Sequence, residues 1–381
     1  MVLTPSNTPR LFRLVLSDPL RPSYSSGEKV SGLVQLEAAA PCRLTRLRVT
    51  AAGCARVERR GGSRRSRLQE VEYLKCEEEV RLEEELSADS ENCFLLPPGK
   101  TFSFQFGFEL PSPGHLVSSY RGKFGSVRYY IHAELQRPNQ DALHCEQEFE
   151  VQEPLDVNQT HLLAPAAASK QKKVTCMFIP DGQVSISAQI DRRGYCEGED
   201  IQINARFENT CSRIVVPKAA IICKHSFSVN GSTKELRQKL SAVRGNPIIS
   251  GMCDMWQGRS IRVPKLQPTL RGCDIIKVDY TLMIYLHVPG SEKLVLELPL
   301  VIGTIPFSGV GSRTSSMSSQ RDLRVEGPHT PLLHDYDGAE DDQEAGLFMR
   351  AGRSAPSPAL LHGESAPPPP PSHRSTNMVL K

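Results

Sequence analysis

A chain of 381 residues is long enough for two ordinary hydrophobic cores, and its net charge of +3 is too small to imply nucleic acid or another strongly charged partner. Nowhere do about 18 apolar residues run uninterrupted, and the opening MVLTPSNTPRLFRLVL has neither an apolar leader core nor a cleavage site, so the expectation is a protein made and kept in the cytosol. With 6% aromatic residues and 29 prolines, the cores should be aliphatic and the connections many.

In chain order, the first half reads as strands: RLFRLVL, KVSGLVQLE, RLTRLRVTAAGCARV, TFSFQFGFEL, VRYYIHAEL and CEQEFEV. The second of these grows out of YSSGEKVSGLVQLE, in which Val30, Val34 and Leu36 alternate with polar residues after a Gly27-Glu28 turn. Between the third and fourth, Arg56, Arg59, Arg60, Arg64, Arg65 and Arg67 crowd a glycine-bearing loop, and ten acidic residues follow from Glu70 to Glu91. The loop reads as a solvated hairpin facing the acidic strand after it. The alternative is an anionic-membrane contact through Arg59, Arg60, Arg64, Arg65 and Arg67, worth about 1 kcal/mol per arginine near the surface.

The alternation stops at Glu153, and EPLDVNQTHLLAPAAASKQKK reads as a connector. Beyond it, VTCMFIPDGQVSISAQI suggests a hairpin turning at Pro180, Asp181 and Gly182, with Val184, Ile186, Ala188 and Ile190 on the buried face. YCEGEDIQINARFE then repeats the earlier sentence, with Tyr195, Gly198 and Glu199 matching Tyr24, Gly27 and Glu28, and Ile201, Ala205 and Phe207 matching the apolar positions. A second echo pairs Val127, Tyr129 and Ile131 with Val278, Tyr280 and Leu282 in the same order. Two related β domains in series follow from this. The organisation expected is residues 1–153, a connector 154–173, residues 174–306, and a Ser/Pro-rich tail 307–381.

That tail ends in a run of prolines, Pro367 to Pro371, and cannot bury enough apolar surface to offset its ordering entropy, so disorder is expected. Ser316, three residues after Arg313, and the Thr330-Pro331 and Ser357-Pro358 pairs are candidate phosphosites, although serine-rich tails match such patterns by accident. The eleven cysteines are scattered, with no Cys-x-x-Cys and no histidine at ligand spacing, which argues against a disulfide framework and a metal site. Neither a phosphate-cradling loop nor a GxSxG, HExxH or paired-carboxylate motif occurs, so no enzyme and no cofactor are expected.

The paired Gly-Glu turns, LPPGKTFSFQFGFELP and SSYRGKFGSVRYYIHAEL resemble the arrestin-domain proteins of the α class, and KLSAVRGNPIISGMCDMWQGRS and LELPLVIG resemble the thioredoxin-binding branch of that family. The resemblance implies an all-β chain of two tandem arrestin-type antiparallel β-sandwiches, immunoglobulin-like, with a disordered tail. It implies an adaptor that binds thioredoxin through a mixed disulfide at Cys253, so promoting oxidative stress. The alternative is a transport adaptor that takes membrane transporters or receptors, such as glucose transporters, into endocytosis.

Two departures from the family pattern stand out. The N-domain cysteine that partners this thiol is missing near Ser66 and Arg67, which leaves Cys76 or Cys54 as substitutes for an internal disulfide. No Pro-Pro-x-Tyr occurs, so ubiquitin ligases would arrive only indirectly. The resemblance places the protein in the cytoplasm, with the nucleus, endosomes and plasma-membrane periphery as further stations.

Overall fold

The computed structural model describes residues 9–309 apart from 61–65, 90, 92 and 177–178. The proline run and Ser316, Thr330 and Ser357 lie outside the described residues. The N-terminal half forms β1 (Pro9–Leu16), β2 (Lys29–Ala38), β3 (Cys42–Leu44), β4 (Arg46–Arg60), β5 (Ser66–Glu79), β6 (Phe94–Leu96), β7 (Thr101–Glu109), β8 (Tyr120–Arg121), β9 (Gly125–Arg137) and β10 (Gln140–Phe149). One sheet runs β1-β2-β7; the facing one runs β10-β9-β4-β5, with β8 on β9. After the short helix α1 (Thr160–Leu163) come β11 (Ala166–Cys176), β12 (Ile179–Ile190), β13 (Gly194–Tyr195), β14 (Asp200–Asn209), β15 (Val216–Val229), β16 (Ser232–Arg244), β17 (Met252–Arg262), β18 (Ile276–His287) and β19 (Leu294–Ile302). They build the second sandwich from the sheets β11-β12-β14-β17 and β13-β19-β18-β15-β16.

Strict alternation sets the faces, because successive strand side chains point to opposite sides. Val30, Val34 and Leu36 on β2, and Ile201, Ala205 and Phe207 on β14, are all buried. So are Val127, Tyr129 and Ile131 on β9, and Val278, Tyr280 and Leu282 on β18. The N-domain core is mostly aliphatic, as expected, but it also holds an aromatic concentration. Strand β7 delivers Phe102, Phe104, Phe106 and Phe108 to one interior, a local concentration that a chain-wide aromatic fraction averages away.

The repeated sentence folds into the same clasp twice. In the first copy Arg21 lies over the Tyr24 ring at 4.3 Å and also meets Glu28, whose Oε2 accepts the Ser25 N–H at 2.7 Å. In the second, Arg192 lies over the Tyr195 ring at 4.2 Å, its Nη1 reaches Glu199 at 3.3 Å, and Glu199 accepts the Cys196 N–H at 2.6 Å. The intervening glycines sit at φ +77° (Gly27) and +82° (Gly198), which only glycine adopts without strain. Tyr24 bridges in parallel to Val151, and Tyr195 to Ile302, so each clasp ties the start of its domain to its end. The shared pattern is Arg-x-x-Tyr-x-x-Gly-Glu.

Two local expectations change. Strand β11 pairs with β12 from Ala166↔Ile190 onward, so the connector gives way to strand eight residues before Val174. The chain reverses between Cys176 and Ile179, which pair with each other, rather than at Pro180–Gly182. Those residues instead form a bulge, with Thr175↔Pro180 on one side and Lys173↔Gln183 on the other. Gly182 has φ +95°, and a Cβ there would stand 2.3 Å from the Thr210 carbonyl oxygen.

The two sandwiches meet along β4, β5 and β8 of the first and β15 with the segment before β18 of the second. The Asp274 N–H donates to the Tyr73 hydroxyl at 3.1 Å, and the Asn230 N–H donates to Gln69 Oε1 at 2.8 Å. Phe227 packs edge-on against Phe124 and tilted against Tyr120.

Candidate functional site

Strand β17 ends its sheet, paired with β14 on one side only. Its entry is made by Gly251 at φ +74°, whose N–H donates to the Asn209 carbonyl at 2.8 Å. The register Cys253↔Glu208, Asp254↔Phe207, Met255↔Arg206 and Trp256↔Ala205 then fixes the faces. Phe207 and Ala205 are core residues, so Trp256 turns inward with them, its ring 5.0 Å edge-on from Phe207. Gly245 makes room beneath it, since a Cβ there would come within 2.8 Å of the indole nitrogen.

Alternation therefore sends Cys253 and Met255 to the outer face. Cys253 is the one exposed thiol among the ten described cysteines, six of which are buried. Met255, the next residue on that outer face, is 56% exposed and sets an apolar neighbour beside the thiol; Met252, equally exposed, stands at the strand's entry on the other face. Asp254 lies on the opposite face of the strand and does not share the surroundings of the Cys253 sulfur. The carboxylate across the strand from Cys253 is Glu208, engaged by Arg206 at 2.7 Å and by the Ser185 hydroxyl at 3.1 Å. An edge strand also leaves alternate N–H and C=O groups free for a partner backbone.

The other cysteines named from the sequence are not gathered here. Cys54 stands half-buried on β4, in register with Arg128, its thiol pushed up by burial and then by Glu70. Cys76 stands half-buried on β5 opposite Ala51. Both are free thiols on N-domain strands. Of the arginines, Arg59 faces Arg67 and Arg60 faces Ser66 at the end of the β4–β5 hairpin, and Arg56 faces Glu70. Arg67 is exposed; the side chains of Arg59 and Arg60, and all of Arg64 and Arg65, lie outside the described residues. Away from Cys253, a concavity of about 410 Å³ opens between the domains and is lined by Ser118, Glu150, Glu153, Gln267 and Arg271 among others.

Sequence reasoning passed over Arg21 and Arg192, which complete the clasps, and over His225 at the domain seam. The first two were visible as an arginine three residues before each repeated tyrosine. The last had no local signal, because its partner Tyr120 is 105 residues away.

Comparison with known proteins agrees with this architecture. The family model "Arrestin (or S-antigen), N-terminal domain" matches residues 14–158, and "Arrestin (or S-antigen), C-terminal domain" matches residues 180–307. Thioredoxin-interacting protein of Mus musculus is 47% identical, across 89% of this chain and 90% of its own length, and that of Homo sapiens is also 47% identical, with 92% of its length covered. Arrestin domain-containing protein 4 of Homo sapiens is 44% identical over 81% of this chain and 74% of its own length. Both the strand architecture and these matches say the same thing: the chain belongs to the arrestin-domain family, in its α class.

Proposed function

We propose that this α-class arrestin adaptor captures thioredoxin as a mixed disulfide through Cys253, and thereby restrains disulfide-reducing capacity and sensitises cells to oxidants. The observation that carries the reading is the placement of Cys253: an exposed thiol on the outer face of an edge strand, with the exposed Met255 next to it on that face. Reactivity of this kind needs access as much as thiolate character. The relatives named thioredoxin-interacting protein support the choice of partner.

The chemistry balances by either of two routes. A peroxide can oxidise the Cys253 thiol to a sulfenic acid, which a thiolate of reduced thioredoxin attacks to form the S–S bond with loss of water. Or the Cys253 thiolate attacks the disulfide of oxidised thioredoxin and releases one thioredoxin thiolate. Neither route requires Cys54 or Cys76.

A second reading, favoured by the likeness to arrestin domain-containing protein 4, is a transport adaptor that grips membrane transporters or receptors and meets ubiquitin ligases through an intermediary. It rests on sheet surfaces and survives loss of one sulfur. The deciding experiment mixes the purified full chain with reduced thioredoxin and stoichiometric peroxide and resolves the products on a non-reducing gel. A band of summed mass that disappears in Cys253→Ser, with Cys54→Ser and Cys76→Ser unaffected, is expected. A well-folded wild-type protein that gives no such band overturns the redox reading and leaves the transport adaptor.

A further inference from the structure

The sheet β1-β2-β7 ends at β7, which pairs with β2 on one side only. Two hydrogen bonds fix which of its backbone groups are left over. The Leu110 N–H, just past the strand, donates to the Glu28 carbonyl at 2.8 Å in line with the β2 ladder. The Gly107 N–H turns the other way and reaches only the Glu78 carboxylate of the facing sheet, at 3.5 Å. Backbone groups alternate sides along a strand, so those of Thr101, Ser103, Gln105, Gly107 and Glu109 point away from β2.

An open edge of this kind is ordinarily blunted by charge. Every other edge strand longer than three residues carries an exposed charge inside its span: Arg13 on β1, Glu77 on β5, Glu146 on β10, Lys170 on β11, Arg237 on β16 and Arg259 on β17. Strand β7 instead presents Thr101, Ser103 and Gln105, exposed and uncharged, followed by Gly107. Its charges are kept to the ends, with Lys100 just before the strand and Glu109 as its last residue.

We infer that β7 is a self-association edge whose occupant is β7 of a second copy of this chain, paired antiparallel about a two-fold axis through Gln105. The strand's own symmetry selects a second copy. Its midpoint is Gln105, so full antiparallel overlap sets Thr101 against Glu109, Ser103 against Gly107 and Gln105 against Gln105 of the second copy. The residues that face one another are then the ones with backbone groups left over, and each pair exchanges both bonds. Phe102 and Phe104 fall opposite Phe108 and Phe106, which keeps the buried rows of both copies on the same side of one continuous sheet. The charges fit as well, because the Lys100 end of each copy lies beside the Glu109 end of the other. Glu109 makes no ion pair among the described residues, and Lys100 lies over the Phe102 ring at 4.5 Å. A parallel arrangement would set like ends together. Cys253 is on the C-domain strand β17, so this contact is independent of the thioredoxin reading.

Sedimentation of the full chain over a concentration series, in reductant so that no thiol can bridge, tests this. The wild type should pass from monomer to dimer as concentration rises. Gln105 faces itself across the axis and its side chain is exposed, so Gln105→Lys and Gln105→Glu should fold normally while each sets like charges opposite one another. Each alone should weaken association about fivefold, and an equimolar mixture of the two should restore it. Lys100→Glu should also weaken it, and Lys100→Glu combined with Glu109→Lys should bring it back. A wild type that stays monomeric throughout overturns the second copy as occupant and leaves the edge to an extended segment of another protein. Dimers indifferent to both Gln105 variants, or a mixture that fails to restore association, overturn the two-fold register and the proposal with it.

Discussion

Glu28 and Glu199 hold the same post in the two domains under different exposure, with side chains 40% and 20% accessible. Each accepts a backbone N–H and an arginine, a charge-assisted pair of bonds that closes the turn before the strand. Glu199→Ala should cost about 1–3 kcal/mol, and Glu28→Ala less, measured as a shift in the urea midpoint at constant slope. The carboxyl of Glu28 is held below its ordinary value of 4.5 by the Ser25 N–H and then by Arg21. Its contribution is therefore present above 4.5 and lost as pH falls through the lower folded value, so Glu28→Gln should flatten stability in that acidic window. At Cys253 the relevant neighbours are likewise those that alternation selects. Met255→Glu leaves the core untouched and should shift stability by no more than about 0.5 kcal/mol, yet slow mixed-disulfide formation. An unchanged capture rate would remove Met255 from the proposed interface. Asp254 is the neighbour of Cys253 along the chain, but the register puts Glu208 across from the thiol instead.

Among elements, the strands that were easy to read are the ones that bury one face. Strands β2, β9, β14 and β18 alternate because each packs a full row of side chains inward. Edge strands β11 and β16 bury little, and their residues carry lysines and glutamines on a surface that only hydrogen bonds to a neighbour define. A local signal for β16 did exist. Asn230 and Gly231, at φ +48° and +77°, form the tight two-residue turn from β15, and their dipeptide is a strong hairpin mark. The Pro180–Gly182 stretch misled for the opposite reason: its turn-forming residues serve a bulge inside β12. Asp181 accepts the Ser212 N–H at 3.1 Å and approaches Arg213 Nε at 3.5 Å, so the bulge docks the loop before β15. Gly182→Ala meets both a positive φ and the Thr210 carbonyl, whereas Gly27→Ala meets only the φ, with open space around its Cβ. The first should therefore lose about 1–3 kcal/mol and the second about 1 kcal/mol, as separate shifts in thermal midpoint. Equal losses would mean that the backbone near Thr210 gives way freely.

At the scale of the whole molecule, duplication explains the two sandwiches and the echo that announced them, but a duplicated sequence says nothing about how the copies join. The seam is built from what the copies do not share. Tyr120 and Phe124 on one side meet His225 and Phe227 on the other, and β15 carries the latter pair at positions where alternation also faces them inward. Phe227 is 2% exposed and touches both N-domain rings, so truncating it removes contacts on both sides of the boundary at once. Phe227→Ala should cost about 3–5 kcal/mol, but that loss need not fall evenly. If the seam is what makes the sandwiches unfold together, calorimetry will show one transition in the wild type and two in the variant, with the C-domain melting first because the cavity opens within its sheet. Strand β17 lies in the opposite sheet of the C-domain, paired to β14 and closed over Trp256, so the rate at which a thiol reagent modifies Cys253 below the first transition should stay unchanged. A single transition lowered in temperature would place the cooperativity elsewhere than the aromatic contacts. A changed Cys253 rate would mean that the seam and the proposed capture strand are coupled through the C-domain core, making the domain junction part of the site's control.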